Sequence, residues 1–145
     1  DTTAYAAKDA ISDSTSSPTP LQFASVMRIT DGTGYIVAAS ILTNQSTNTS
    51  RFRLHLFRET VTAINDNSPF TILWANRAIR LGLIDFPACS TEGTGSDSAF
   101  TQNAEIRVPL KASGSADIYC LLETLDAFTP ASGQMFYIRL ISDVN

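Results

Sequence analysis

The chain has 145 residues, of which 43% are hydrophobic, 17% charged and 9% aromatic, and its formal net charge is -4. That length supports one domain with its own core, and the composition excludes a disordered polyelectrolyte. No apolar run approaches the ~18 residues of a membrane span, and the first residues show no signal-peptide pattern. Basic residues number 10 against 14 acidic ones, so neither a membrane nor a nucleic-acid partner is expected.

In chain order, residues 1–20 read as an extended N-terminal arm and residues 21–145 as a β-sandwich body. The arm holds only Tyr5 and Ile11 as large apolar groups, and residues 12–20 are dominated by Ser, Thr and Pro. Such a stretch is too polar to bury and too rich in Pro to be helical. From Leu21 onward the pattern has period two. Leu21, Phe23, Met27 and Ile29 share one parity. Phe52, Leu54 and Leu56 alternate with Arg51, Arg53 and His55. Ala104, Ile106, Val108 and Leu110 alternate with Glu105 and Arg107. Ile118, Cys120 and Leu122 share a face, as do Phe136, Ile138 and Leu140. These are strands with one face in a core. Residues 35–42 and 79–86 are apolar on both faces and read as central or doubly covered strands.

Asp31-Gly32-Thr33-Gly34 is expected to join the first two body strands as a hairpin. Pro69 to Ala78 carries the chain's helical signature, with Ser68 as its cap, Pro69 at its first position and Trp74 packed in the core. The expected fold is all-β: an antiparallel, jelly-roll-like β-sandwich of about eight strands with one short helix. Its expected core is Phe23, Ile36, Leu54, Leu56, Leu83, Ile106, Ile118, Leu122, Phe136 and Ile138. Cys89 and Cys120 are expected to be unbridged thiols, Cys120 in the core and Cys89 in a loop.

Catalytic chemistry is not indicated. His55, the single histidine, sits mid-strand on the polar face and reads as a surface or interface imidazole, with no nucleophile motif beside it. One His and two separated Cys cannot build a zinc tetrad, and neither Gly32-Thr33-Gly34 nor Gly93-Thr94-Gly95 opens a helix as a phosphate loop does. No metal and no cofactor is therefore expected. Eight of the ten basic residues are Arg. Arg is favoured at interfaces, and genome composition gives the competing explanation.

Five segments together resemble the head decoration, or cement, proteins of tailed bacteriophages: Tyr5-Ala6-Ala7-Lys8-Asp9, residues 34–40, Leu56-Phe57, residues 63–70 and residues 82–86. They occur in the family's order and span the first two thirds of the chain. The most specific is Asn65-Asp66-Asn67-Ser68-Pro69-Phe70. An acidic helix expected after Phe70 is replaced here by the apolar run Thr71 to Arg77. The resemblance implies a β-sandwich that binds the outside of an icosahedral shell, typically as a homotrimer, and ties major capsid protein subunits together without catalysis. It implies a place on the virion exterior after synthesis in the bacterial cytoplasm. Candidate capsid or intersubunit contacts are Tyr5, Lys8, Asp9, Arg51 and Arg53, and Asn65, Asp66 and Asn67 form a candidate structural turn. A carbohydrate- or receptor-binding module of a virion is the alternative, because jelly rolls host such sites too.

Overall fold

Alternation of apolar and polar side chains is realised as two facing antiparallel sheets in a computed structural model that describes residues 2–144. The strands are β1 (Ala10–Ile11), β2 (Leu21–Phe23), β3 (Thr33–Thr43), β4 (Phe52–Phe57), β5 (Arg80–Phe86), β6 (Ser90–Thr91), β7 (Ala99–Asn103), β8 (Val108–Lys111), β9 (Ile118–Thr124) and β10 (Phe136–Val144). Sheet I has the order β1-β9-β4-β5, and β2 joins the flank of β9 that β1 occupies. Sheet II has the order β10-β3-β7-β6, and β8 continues the line of β7 along β3. Strand makes up 42% of the chain and helix 3%. The all-β antiparallel expectation holds.

The core lies between the sheets. Phe52, Leu54 and Leu56 from β4 meet Ile84 and Phe86 from β5 and Ile118, Cys120 and Leu122 from β9. Sheet II answers with Ile36, Ala39 and Ile41. Ile36 and Ile41 have opposite parity, yet both are fully buried. Between them the β10 ladder jumps from Ala38 to Ile36, so Val37 is an extra residue that resets the alternation. Gly34 lets β10 finish its ladder, since a Cβ there would lie 2.6 Å from the Asp143 carbonyl oxygen and 2.7 Å from Val144.

Several expectations are corrected. Asp31–Gly34 is not a hairpin, because β2 belongs to sheet I and β3 to sheet II. The loop instead crosses between sheets, and the Asp31 carboxylate accepts the Gly114 N–H at 2.6 Å. The expected strand over 104–110 is broken, since residues 104–107 stand opposite only Val37 and Ala38 of the bulged β3 and step out of the ladder. Splits of this kind, with the short β1, β2 and β6, raise the strand number above eight.

The expected helix over 69–78 shrinks to a 3-10 turn, Trp74–Ala78. Its first turn is claimed by another partner: Pro69 bridges Asp9, and the Phe70 N–H donates to the Lys8 carbonyl at 2.8 Å. Trp74 is consequently 79% exposed rather than in the core. Leu83, expected inside, is 37% exposed because β5 turns Ile84 and Phe86 inward. Phe23, Ile106, Phe136 and Ile138 are only partly buried against the core.

Candidate interaction surface

The connection from β4 to β5 folds back over the outer face of sheet I. Val61, Ile64, Phe70, Ile72 and Ile79 from this crossover close on Phe57, Tyr119 and Leu121 to make a second, smaller core. The N-terminal segment is threaded between this crossover and the end of β9. Lys8 N–H donates to the Thr124 carbonyl at 2.8 Å, and Thr124 N–H returns a bond to the Asp9 carbonyl at 3.0 Å. On the other side, Ala10 N–H donates to the Ser68 carbonyl at 2.8 Å and Asn67 N–H to the Ala10 carbonyl at 3.0 Å.

Asn65-Asp66-Asn67 is the turn that receives this segment. The Asp66 carboxylate accepts the Tyr5 hydroxyl at 2.8 and 2.9 Å and the Ser12 N–H at 2.9 Å. Asn67 takes a left-handed φ of 57°, which Asn tolerates better than most residues. Tyr5 is buried and stacks on Phe128 with ring centroids 4.9 Å apart. Burial and the neighbouring Asp66 carboxylate push its phenol above the usual range. Asp9 is also buried, and its carboxylate accepts the Ala6 N–H at 2.7 Å. Lys8, at φ 69°, is exposed. Segments 5–9 and 63–70, far apart in the chain, thus build one hydrogen-bonded unit.

Arg51 and Arg53 already have carboxylates of their own. Arg51 meets Asp126 through Nε at 2.9 Å and Nη2 at 2.6 Å, while its backbone N–H donates to the same group at 2.9 Å. These donors hold the Asp126 carboxyl below the usual carboxylate range. Arg53 grips Asp85 at 2.5 and 3.2 Å across the β4–β5 pair. Both pairs are solvent-facing, where ion pairs contribute little stability.

His55 is not a surface imidazole. The crossover covers it, leaving it 4% exposed, and Phe70 stacks on the ring at 4.5 Å. Nε2 lies 2.8 Å from a Glu123 oxygen, and Nδ1 lies 3.2 Å from Nη2 of Arg80. Guanidinium has donors only, so Nδ1 accepts and Nε2 carries the proton. Burial lowers the His55 pKa most, opposed by Glu123 and helped by the Arg80 and Arg53 charges. The ring is a sealed, neutral link between an acid and a base.

Among the described residues no cluster of three or more His, Cys, Asp or Glu side chains could hold a metal ion. Among the described residues no helix is long and apolar enough to cross a membrane. Both thiols are buried and unbridged, and burial raises Cys89 to about 11 and Cys120 further.

The outer face instead offers apolar surface. Leu73 and Trp74 of the crossover and Leu83 of β5 are exposed around a shallow depression that Arg77 and Arg80 also line. The Arg77 guanidinium sits 5.0 Å over the Trp74 ring. Sequence reasoning placed Trp74 inside and so missed this face. Its signal was the apolar run where an acidic helix was expected. No protein-family model, curated protein or solved structure matches the chain.

Proposed function

We propose that this protein decorates the outside of an assembled phage capsid and stabilises the lattice without turnover chemistry. One observation carries the reading: the segments that resemble the cement-protein family, 5–9 and 63–70, pair with each other through backbone bonds and the Tyr5–Asp66 contact. Tyr5 and Asp9 then act as anchors inside the chain. Contact with the major capsid protein falls to the exposed Leu73, Trp74 and Leu83 face with its Arg77, since apolar patches of this kind mark interaction sites. Arg51 and Arg53 add a polar rim by exchanging Asp126 and Asp85 for acids on a neighbour. A subunit that binds only the assembled lattice lowers that state's free energy by mass action.

The exposed Trp74 favours one second reading, a glycan site in which a sugar ring stacks on the indole. The experiment mixes purified protein with empty shells lacking it and measures occupancy and heat resistance of the shells. Full-length protein should bind and raise the shell melting temperature. Trp74→Ala should lower occupancy while leaving the free protein's own melting temperature nearly unchanged. Protein that ignores the shells yet binds a glycan array through Trp74 replaces the capsid reading with the lectin one.

A further inference from the structure

β10 is an outer strand of sheet II: β3 pairs one side of it, and among the described residues no strand pairs the other. Its nine residues therefore offer a row of backbone N–H and C=O groups to another strand. Proteins blunt such edges with bulges, Pro, short length or charged side chains. β10 has only the last of these, in Arg139 and Asp143, and their opposite signs allow pairing as well as repulsion. Its alternation is unbroken, with Phe136, Ile138 and Leu140 facing the core and Tyr137, Arg139, Ile141 and Asp143 facing out. The irregularity in its ladder belongs to Val37 of β3.

The outward row is apolar and charged in a particular order. Tyr137 is 62% and Ile141 52% exposed. Arg139 and Asp143 flank Ile141 with opposite charges, about 13 Å apart along the strand, too far to pair with each other. Among the described residues neither forms an ion pair. Read antiparallel against itself, the order Arg139-x-Ile141-x-Asp143 is its own complement.

We propose that β10 pairs antiparallel with β10 of a second copy about a two-fold axis at Ile141, joining the two sheets II into one. Arg139 of each copy then stands opposite Asp143 of the other, with Cβ atoms about 4.5–5.5 Å apart, and Ile141 packs on its counterpart. The contact is isologous and closes as a dimer. Beside the edge lies a groove of about 420 Å³ lined by Ile11, Leu21, Phe136 and Ile138. This pairing does not depend on the capsid reading.

Sedimentation equilibrium on the purified full chain, with circular dichroism as the check on folding, tests it. The wild type should be a dimer at raised concentration. Arg139→Asp and Asp143→Arg should each weaken it by about tenfold or more, because each puts like charges opposite one another twice. Mixing the two variants should restore the dimer, since only the mixed pair is complementary. A wild type that stays monomeric at its highest soluble concentration overturns the proposal. So does a dimer or trimer that either reversal leaves intact, or a mixture that fails to recover.

Discussion

Replacing Leu54 and Leu83 separately with Ala compares two leucines that alternation alone places equally in the core. Leu54 is fully buried at the middle of β4, opposite Ile84 of β5 and Leu122 of β9. Buried Leu→Ala changes cost about 2–5 kcal/mol, the larger figure applying where the surroundings cannot close the cavity. β4 is held by ladders on both sides, so its backbone cannot move inward, and about 3–5 kcal/mol is expected. That is a large share of the about 5–15 kcal/mol that a domain of this kind has. Leu83 is 37% exposed on the outer face, where its loss should cost no more than about 1 kcal/mol. Urea unfolding followed by far-UV circular dichroism measures both, since the exposed Trp74 is a poor fluorescent reporter. Unchanged m-values would show that both variants unfold from the same folded state. Equal losses at the two sites, or a loss at Leu54 under about 1 kcal/mol, would refute the assignment of faces.

Tyr5→Phe should cost about 1–3 kcal/mol by removing the hydroxyl from the Asp66 carboxylate; a thermal melt unchanged from wild type would mean that the N-terminal segment is not anchored there. Stability should also depend on pH through His55, whose folded pKa lies below the ordinary 6.5. The unfolded chain then takes up the proton first, so this contribution is complete above pH 6.5 and is lost as pH falls toward the folded value. His55→Gln should flatten the slope between about pH 7 and about pH 5, and a wild type already flat there would contradict the buried neutral ring. Cys89 and Cys120 should resist a thiol reagent in the folded protein and both react in denaturant without reductant; finding no free thiol would establish a bridge.

Period-two patterning in segments such as Phe52–Leu56, Ile118–Leu122 and Phe136–Leu140 was enough to identify sheets, because strand alternation is a local property of the backbone. The pattern failed where one face was covered twice. His55 and Arg53 are both polar positions on β4, and only the fold of the 58–79 crossover buries the first while leaving the second at the surface. No residue near His55 in the chain announces Glu123, Arg80 or Phe70 as its partners. The bulge at Val37 was equally invisible, since an extra residue in a ladder is defined by the strands beside it.

The candidate surface divides in the same way. The Asn65-Asp66-Asn67 turn was legible as a turn, because Asx side chains favour such backbone locally. That it would capture Tyr5 and Ser12 depended on the N-terminal segment returning past β9. The Pro69–Ala78 stretch has real helical signals, but a short helix forms only if its surroundings leave its first turn free. Here Lys8 and Asp9 take that backbone, which leaves Trp74 in solvent. By itself the sequence determined the class of the fold and the alternation of its longer strands. The tertiary structure decided which polar groups are buried, which apolar ones are exposed, and which edge is left unpaired. Those outcomes depend on segments distant in the chain closing over one another, and no local pattern encodes that.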